Sequence, residues 1–180
     1  MADIFTNEKK PFYASTSFVS LSKIDEAPYT AFIRRLFEER LRNITSEAIQ
    51  FILTWTRRHT YYTQQLCHTI YANGNQNIDL EEVKLACNQL MQQSESVYLQ
   101  YRQMLTDKQW GYLIAIAKEE SVQQITASAF LKRHKIGTPS VSRRLADALC
   151  EKGLINDDST LDGTVYSVSD VFLSHWMERL

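Results

Sequence analysis

The sequence predicts a mainly α-helical fold, a small helical bundle followed by a helix-turn-helix module that closes with a short β-hairpin. Three observations carry this. From residue 27 to residue 104, apolar residues recur at three- and four-residue steps, the period of a helix with one buried face. Only five Gly and three Pro occur in 180 residues, too few for a turn-dense β fold or for long linkers. Beyond residue 104 the pattern breaks into shorter helical runs with turns between them, then two β-like runs with Asp162-Gly163 in their loop region.

Residues 1–26 form an N-terminal extension with one short strand-like run, Phe18 to Ile24, for which no later segment offers an obvious partner. Residues 27–104 read as the bundle. Its first helix carries Tyr29, Phe32, Ile33, Leu36, Phe37 and Leu41, with Pro28 in the opening turn. Ser46 is placed to cap a second helix bearing Ile49, Ile52 and Leu53. A third, from about Thr60, stacks Tyr62, Leu66 and Ile70 and stops at Asn73-Gly74. The fourth opens near Asp79, with Glu81 and Glu82 in its first turn, and keeps Val83, Cys87, Leu90, Met91 and Tyr98 in register. Short connections between four helices make a bundle.

Residues 105–180 follow the order of a winged helix-turn-helix. Thr106 and Gln109 stand at capping-box spacing before Trp110, Leu113, Ile114 and Ala117. Thr126 or Ser128 opens a short helix with Phe130 and Leu131. The turn Gly137-Thr138-Pro139-Ser140 leads into a helix with Val141, Leu145, Ala148 and Leu149, ending before Gly153. Leu154-Ile155, a turn-rich Asn156 to Ser159 and Val165 to Val168 suggest the hairpin, and Val171 to Leu180 a last amphipathic helix.

Composition limits the function. Twenty basic and 21 acidic residues give a net charge of −1, so any nucleic-acid surface must be local. No run of 18 apolar residues could span a membrane, and MADIFTNEKK lacks the apolar stretch of a signal peptide. Cys67, Cys87 and Cys150 are widely spaced among apolar neighbours and read as thiols of a reducing, cytoplasmic compartment. Neither GxxxxGK[ST] nor GxGxxG occurs, and His59, His68, His134 and His175 lack metal-ligand spacing. No catalytic, metal or cofactor residue is expected in this chain, and no enzymatic activity of its own.

The local charge lies between residues 130 and 153. There Lys132, Arg133, Lys135, Arg143, Arg144 and Lys152 oppose only Asp147 and Glu151, six cations against two acids, or +4. The helix from Ser140 would be the recognition helix, whose first residues meet base edges. Lys132, Arg133, Lys135, Ser140, Ser142, Arg143 and Arg144 are the candidate nucleic-acid contacts, being types that bind phosphates or base edges. Six phosphate contacts would give a salt slope of about −5. The acidic Asp157, Asp158 and Asp162 of the hairpin oppose such binding, and the other reading is that the cations are a solvated face and the winged helix packs against a protein. A second constellation is Arg57-Arg58 before the helix at Thr60, a place where an anion could dock.

Several motifs, taken in order, resemble one family. Met1-x-x-Ile4-Phe5, Pro11-Phe12-Tyr13, Leu21-x-x-Ile24 and Phe32-Ile33-x3-Phe37 are similar to the region after the nucleotide-binding core of prokaryotic, archaeal-type AAA+ P-loop ATPases. The similarity continues through Tyr61-Tyr62-x-Gln64-x-Leu66, Leu105-Thr106-x-x-Gln109 and Ser140-Val141. It ends at Val165-Tyr166-x-Val168-x-Asp170-x-Phe172-x3-Trp176, so it spans nearly the whole chain. The resemblance implies that the run at Val19 to Ile24 is the last strand of the missing core's parallel sheet, that residues 27–104 are an AAA+ lid-like bundle, and that residues 105–180 are a winged helix. It implies a fragment of a longer polypeptide, Met1 falling where the family often has an internal methionine. ATP and Mg would belong to the absent core. The family often has Pro where this chain has Thr60, and its nucleotide-sensing Arg is not assigned to Arg57 or Arg58.

The expected function is therefore a lid and winged-helix region that couples nucleotide state to a DNA or protein partner, the long helix from Asp79 to Arg102 acting as a lever. The alternatives are a stand-alone DNA-binding regulator with a helical dimerisation domain, and an adaptor presenting Trp110, Tyr112 or Trp176 to a protein.

Overall fold

The computed structural model describes residues 23–160 and 163–180. The strand expected at Val19 and the Asp162 of the hairpin loop lie outside the described residues; Lys23 and Ile24 are in no strand. Within them the chain is mainly helical. The order is α1 (Glu26–Glu38), β1 (Asn43–Ile44), α2 (Ser46–Trp55), α3 (Thr60–Ala72), β2 (Asn77–Ile78) and α4 (Leu80–Met104). There follow α5 (Asp107–Lys118), α6 (Ser128–Arg133), α7 (Pro139–Glu151), β3 (Ile155–Thr160), β4 (Gly163–Val168) and α8 (Val171–Met177).

Local chemistry sets most of these boundaries. The Asp79 carboxylate accepts from the Glu81 and Glu82 amides at 3.0 Å and starts α4, which then runs unbroken for 25 residues. Thr106 and Gln109 form the reciprocal capping box at the start of α5. Asp170 caps α8 through the amides of Phe172 and Leu173. Gly74, at φ 86°, follows the end of α3 in a conformation costly for a side chain bearing Cβ.

The structure corrects other expectations. Thr45, not Ser46, caps α2, and Ala127, rather than Thr126 or Ser128, precedes α6 without a side-chain cap. Leu41 is not on the buried face of α1. The helix ends at Glu38, and Leu41 turns left-handed (φ 58°) with 89% of its surface exposed. The turn-rich Asn156 to Ser159 is strand, because each residue pairs with one in Thr164 to Ser167 across the antiparallel hairpin.

β1 and β2 pair in parallel and deliver Ile44 and Ile78 to the interior while Asn43 and Asn77 stay outside. Arg42 supports this corner, donating to the Tyr71 carbonyl at 2.7 Å with its guanidinium 4.1 Å from the Tyr71 ring centre. The buried side chains form one connected cluster, from Tyr29 on α1 to Met177 on α8. Tyr112 belongs to that interior, and Trp110 and Trp176 pack half-buried against it. Tyr112 is buried, and Trp176 packs 5.5 Å from Tyr98 and 6.2 Å from Trp110. Burial therefore withdraws Tyr112 from the adaptor reading.

Candidate nucleic-acid interface

The helix-turn-helix is built on α5, α6 and α7. After α6 the chain reverses through Lys135 (φ 53°) and Gly137 (φ 98°), with the Ile136 amide bonded to the Leu131 carbonyl at 3.0 Å. Thr138 then caps α7, and Pro139 takes its first position, where a missing N–H costs nothing.

Inward, α7 presents Ser142, Ala146 and Leu149, all buried. The Ser142 hydroxyl donates to the Ile125 carbonyl at 2.5 Å and lies 2.9 Å from the Tyr112 hydroxyl. Ser142 therefore fastens α7 to α5 and to the segment before α6, and it is withdrawn from the nucleic-acid contacts. The sequence held the sign of this: residues 142, 146 and 149 fall on one helical arc between Val141, Leu145 and Ala148.

Outward, the same period exposes Ser140, Arg143, Arg144, Asp147 and Glu151. Lys132 and Lys135 are exposed beside them on α6 and the turn. None of Lys132, Lys135, Arg143 and Arg144 is ion-paired with another described residue. Arg133 is different, since it donates to Glu119 at 2.5 Å, and His134 meets the same carboxylate at 2.8 Å. The hydrogen bond from His134, then that from Arg133, holds the Glu119 carboxyl below its ordinary value. Six candidates thus share one exposed region, with Arg133 partly neutralised and Ser142 inside. The gradient along α7, cations in its first half and acids in its second, suits an amino-terminal approach to a duplex groove. Asp157 and Asp158 on β3 are exposed and keep the wing acidic.

In the second sequence constellation the Arg57 side chain is already engaged within the fold. Arg57 and Arg58 both take left-handed backbone (φ 52° and 53°). Arg57 reaches α8, donating to the Ser174 hydroxyl at 2.9 Å and lying 3.5 Å from Glu178. His175 stacks on Trp55 at 4.6 Å; its Nε2–H donates to the Trp55 carbonyl at 2.8 Å and its Nδ1 lies 3.0 Å from Glu178. Tyr62 donates to the Ser169 carbonyl at 3.3 Å, and Arg179 to Asn88 at 2.9 Å. Burial alone would raise the Glu178 carboxyl, but the hydrogen bond and charge of His175, with Arg57, outweigh it and hold the carboxyl low. This clamp was not legible in the sequence, because its partners lie 91 to 121 residues apart and no local spacing marks them.

The thiols take no part in either cluster. Burial pushes Cys67 and Cys87 up to about 12 and Cys150 up to about 11, away from reactive thiolates. No helix among the described residues is long and apolar enough to cross a membrane.

Comparison with known proteins agrees with this geometry. A family model described as a probable winged helix domain matches residues 96–179, from within α4 to the end of α8. No curated protein matches the chain.

Proposed function

We propose that this chain is the C-terminal region of a larger AAA+-type ATPase, and that its winged helix engages DNA through Lys132, Lys135, Arg143 and Arg144, with Ser140 at the tip of α7. The observation that carries the DNA reading is the exposure of these four cations around one turn, each without an acidic partner among the described residues. The ATPase reading is supported by the order of sequence motifs.

Coupling rests on two links between the bundle and the winged helix. One is α4, whose 25 residues make a stiff rod of about 37 Å. The other is the clamp of Trp55, Arg57 and Tyr62 on α8. A swing of the bundle would therefore carry the winged helix with it rather than bend the joint. ATP and Mg would be held by the core outside this chain, because no phosphate-cradling loop is encoded here and Arg57 is already engaged by Glu178. The chain's own part is to position and transmit, not to catalyse.

The test is the intact mass of the protein captured from its native cell. A species roughly 20 kDa or more heavier, yielding a GxxxxGK[ST] peptide upstream of Met1, is expected. A species of 20.9 kDa would overturn the ATPase reading and favour a stand-alone DNA-binding regulator.

A further inference from the structure

The joint between the bundle and α8 turns on one ring with an acceptor at each nitrogen. The Trp55 carbonyl lies 2.8 Å from Nε2 of His175, and a Glu178 carboxylate oxygen lies 3.0 Å from Nδ1. A carbonyl oxygen only accepts, and so does an ionised carboxylate. Burial would raise the Glu178 carboxyl, but His175 and Arg57 hold it below its ordinary value, so it is ionised near neutral pH. Neutral imidazole has a single N–H. In either neutral tautomer, one ring nitrogen would turn its lone pair on one of these oxygens. Only the imidazolium donates to both.

Three neighbours favour that charge. Trp55 is the last residue of α2, so its carbonyl belongs to the negative end of the helix, where a cation is stabilised. The Trp55 ring stacks on His175 at 4.6 Å and 10°, presenting its electron-rich face. Glu178 supplies the counter-charge. Two features oppose it. Only 14% of the His175 side chain is exposed, and Arg57 engages the other oxygen of the same carboxylate. One carboxylate thus serves two cations, and an unperturbed imidazole changes charge between about pH 5 and 8. The remaining charged or titratable groups stand further off. Tyr62, His59 and Asp170 lie beyond Phe172, and burial raises the Tyr62 hydroxyl to about 12, so it stays neutral. Arg179 turns to Asn88 of α4.

We infer that a proton on His175 locks the bundle to the winged helix, the imidazolium gripping Trp55 and Glu178 together, and that losing this proton loosens the joint. One bond of the two is then broken. If it is the bond to Trp55, α8 loses its direct hold on α2. If it is the bond to Glu178, the carboxylate that receives Arg57 is no longer fixed. The charged ring favours the closed joint, so its contribution is present at low pH and lost as pH rises through the range in which the ring titrates. The inference holds whatever α7 binds.

The test follows the His175 ring nitrogens in the full, nitrogen-15-labelled chain by long-range proton–nitrogen NMR. Amide exchange of α8 is read by mass spectrometry under the same conditions. Two protonated nitrogens are expected at about pH 6 and one at about pH 8. Over that interval the protection of the α8 amides, corrected for the intrinsic pH dependence of exchange, should fall about tenfold, the scale of one charge-assisted hydrogen bond. His175→Gln keeps an N–H donor that does not titrate, so its change should stay under about twofold. Glu178→Gln removes the charge that calls for the second proton and should blunt the step with His175 intact. A ring of the same charge at both pH values would overturn the inference. So would constant protection in the wild type, or a tenfold step that both variants retain.

Discussion

Two turns in this molecule are built alike and used differently. The α2–α3 turn places Arg57 and Arg58 in left-handed backbone, and the α6–α7 turn does the same with Lys135 and Gly137. Both bring cations to a helix junction. At the first, Glu178 and Ser174 of α8 stand within reach, and Arg57 becomes an internal strut. At the second, no described carboxylate forms an ion pair with Lys132, Lys135, Arg143 or Arg144, and these cations are exposed to an outside anion. The sequence shows the same residue types in both places. The difference lies in what the fold brings opposite, so a basic cluster is a binding surface only where tertiary structure leaves it unanswered.

The largest effect that would separate the two turns is on DNA affinity. Replacing Arg143 and Arg144 by Ala should weaken binding about thirtyfold near 0.15 M salt, as two phosphate contacts are lost, with no change in melting temperature. Fluorescence anisotropy and thermal denaturation together check this. Ser142→Ala should do the reverse. Removing its hydroxyl leaves the buried Ile125 carbonyl and Tyr112 hydroxyl short of a partner, costing about 1–3 kcal/mol of stability by denaturant titration. DNA affinity should fall only as far as the helix loosens.

At the clamp, Arg57→Ala should cost about 1 kcal/mol, the scale of a partly exposed ion pair with one added hydrogen bond, and leave DNA binding unchanged. The clamp also carries a pH dependence. Glu178 is held below its ordinary value of 4.5, so it favours the folded state above that pH, and the contribution is lost as pH falls through the lowered value. Glu178→Gln should flatten the acid limb of stability against pH, while Glu39→Gln, at an exposed site, should not.

The smallest effect is the sharpest contrast. Lys135→Gly suits a left-handed position, so stability should change by less than about 0.5 kcal/mol while DNA affinity drops severalfold through the lost charge. Arg57→Gly, equally suited in backbone, should still destabilise because the strut is gone.

How far this could be read from the sequence follows from distance along the chain. Asp79, Thr106 with Gln109, and Gly74 act within four residues of the backbone they govern, and their helix boundaries were legible. The parallel pair at Ile44 and Ile78 was not, since two-residue strands carry no period and their pairing spans more than 30 residues. Asn156 to Ser159 read as turn because those side chains favour turns alone, and pairing across the hairpin overrides that preference. In the candidate interface, the exposed cations were legible as a charge cluster. The inward aim of Ser142 and the Glu119 partner of Arg133 required the helix register and a contact 14 residues away.

The central claim is that the α6–α7 turn, and not the α2–α3 turn, meets phosphate. The direct measurement is the slope of log binding constant against log salt for a short duplex, for the full chain and for Arg143→Ala with Arg144→Ala. Four free cations predict a slope of about −3.6, falling to about −1.8 in the double variant. A slope near zero, or one that the double variant leaves unchanged while Arg57→Ala alters it, would contradict the account.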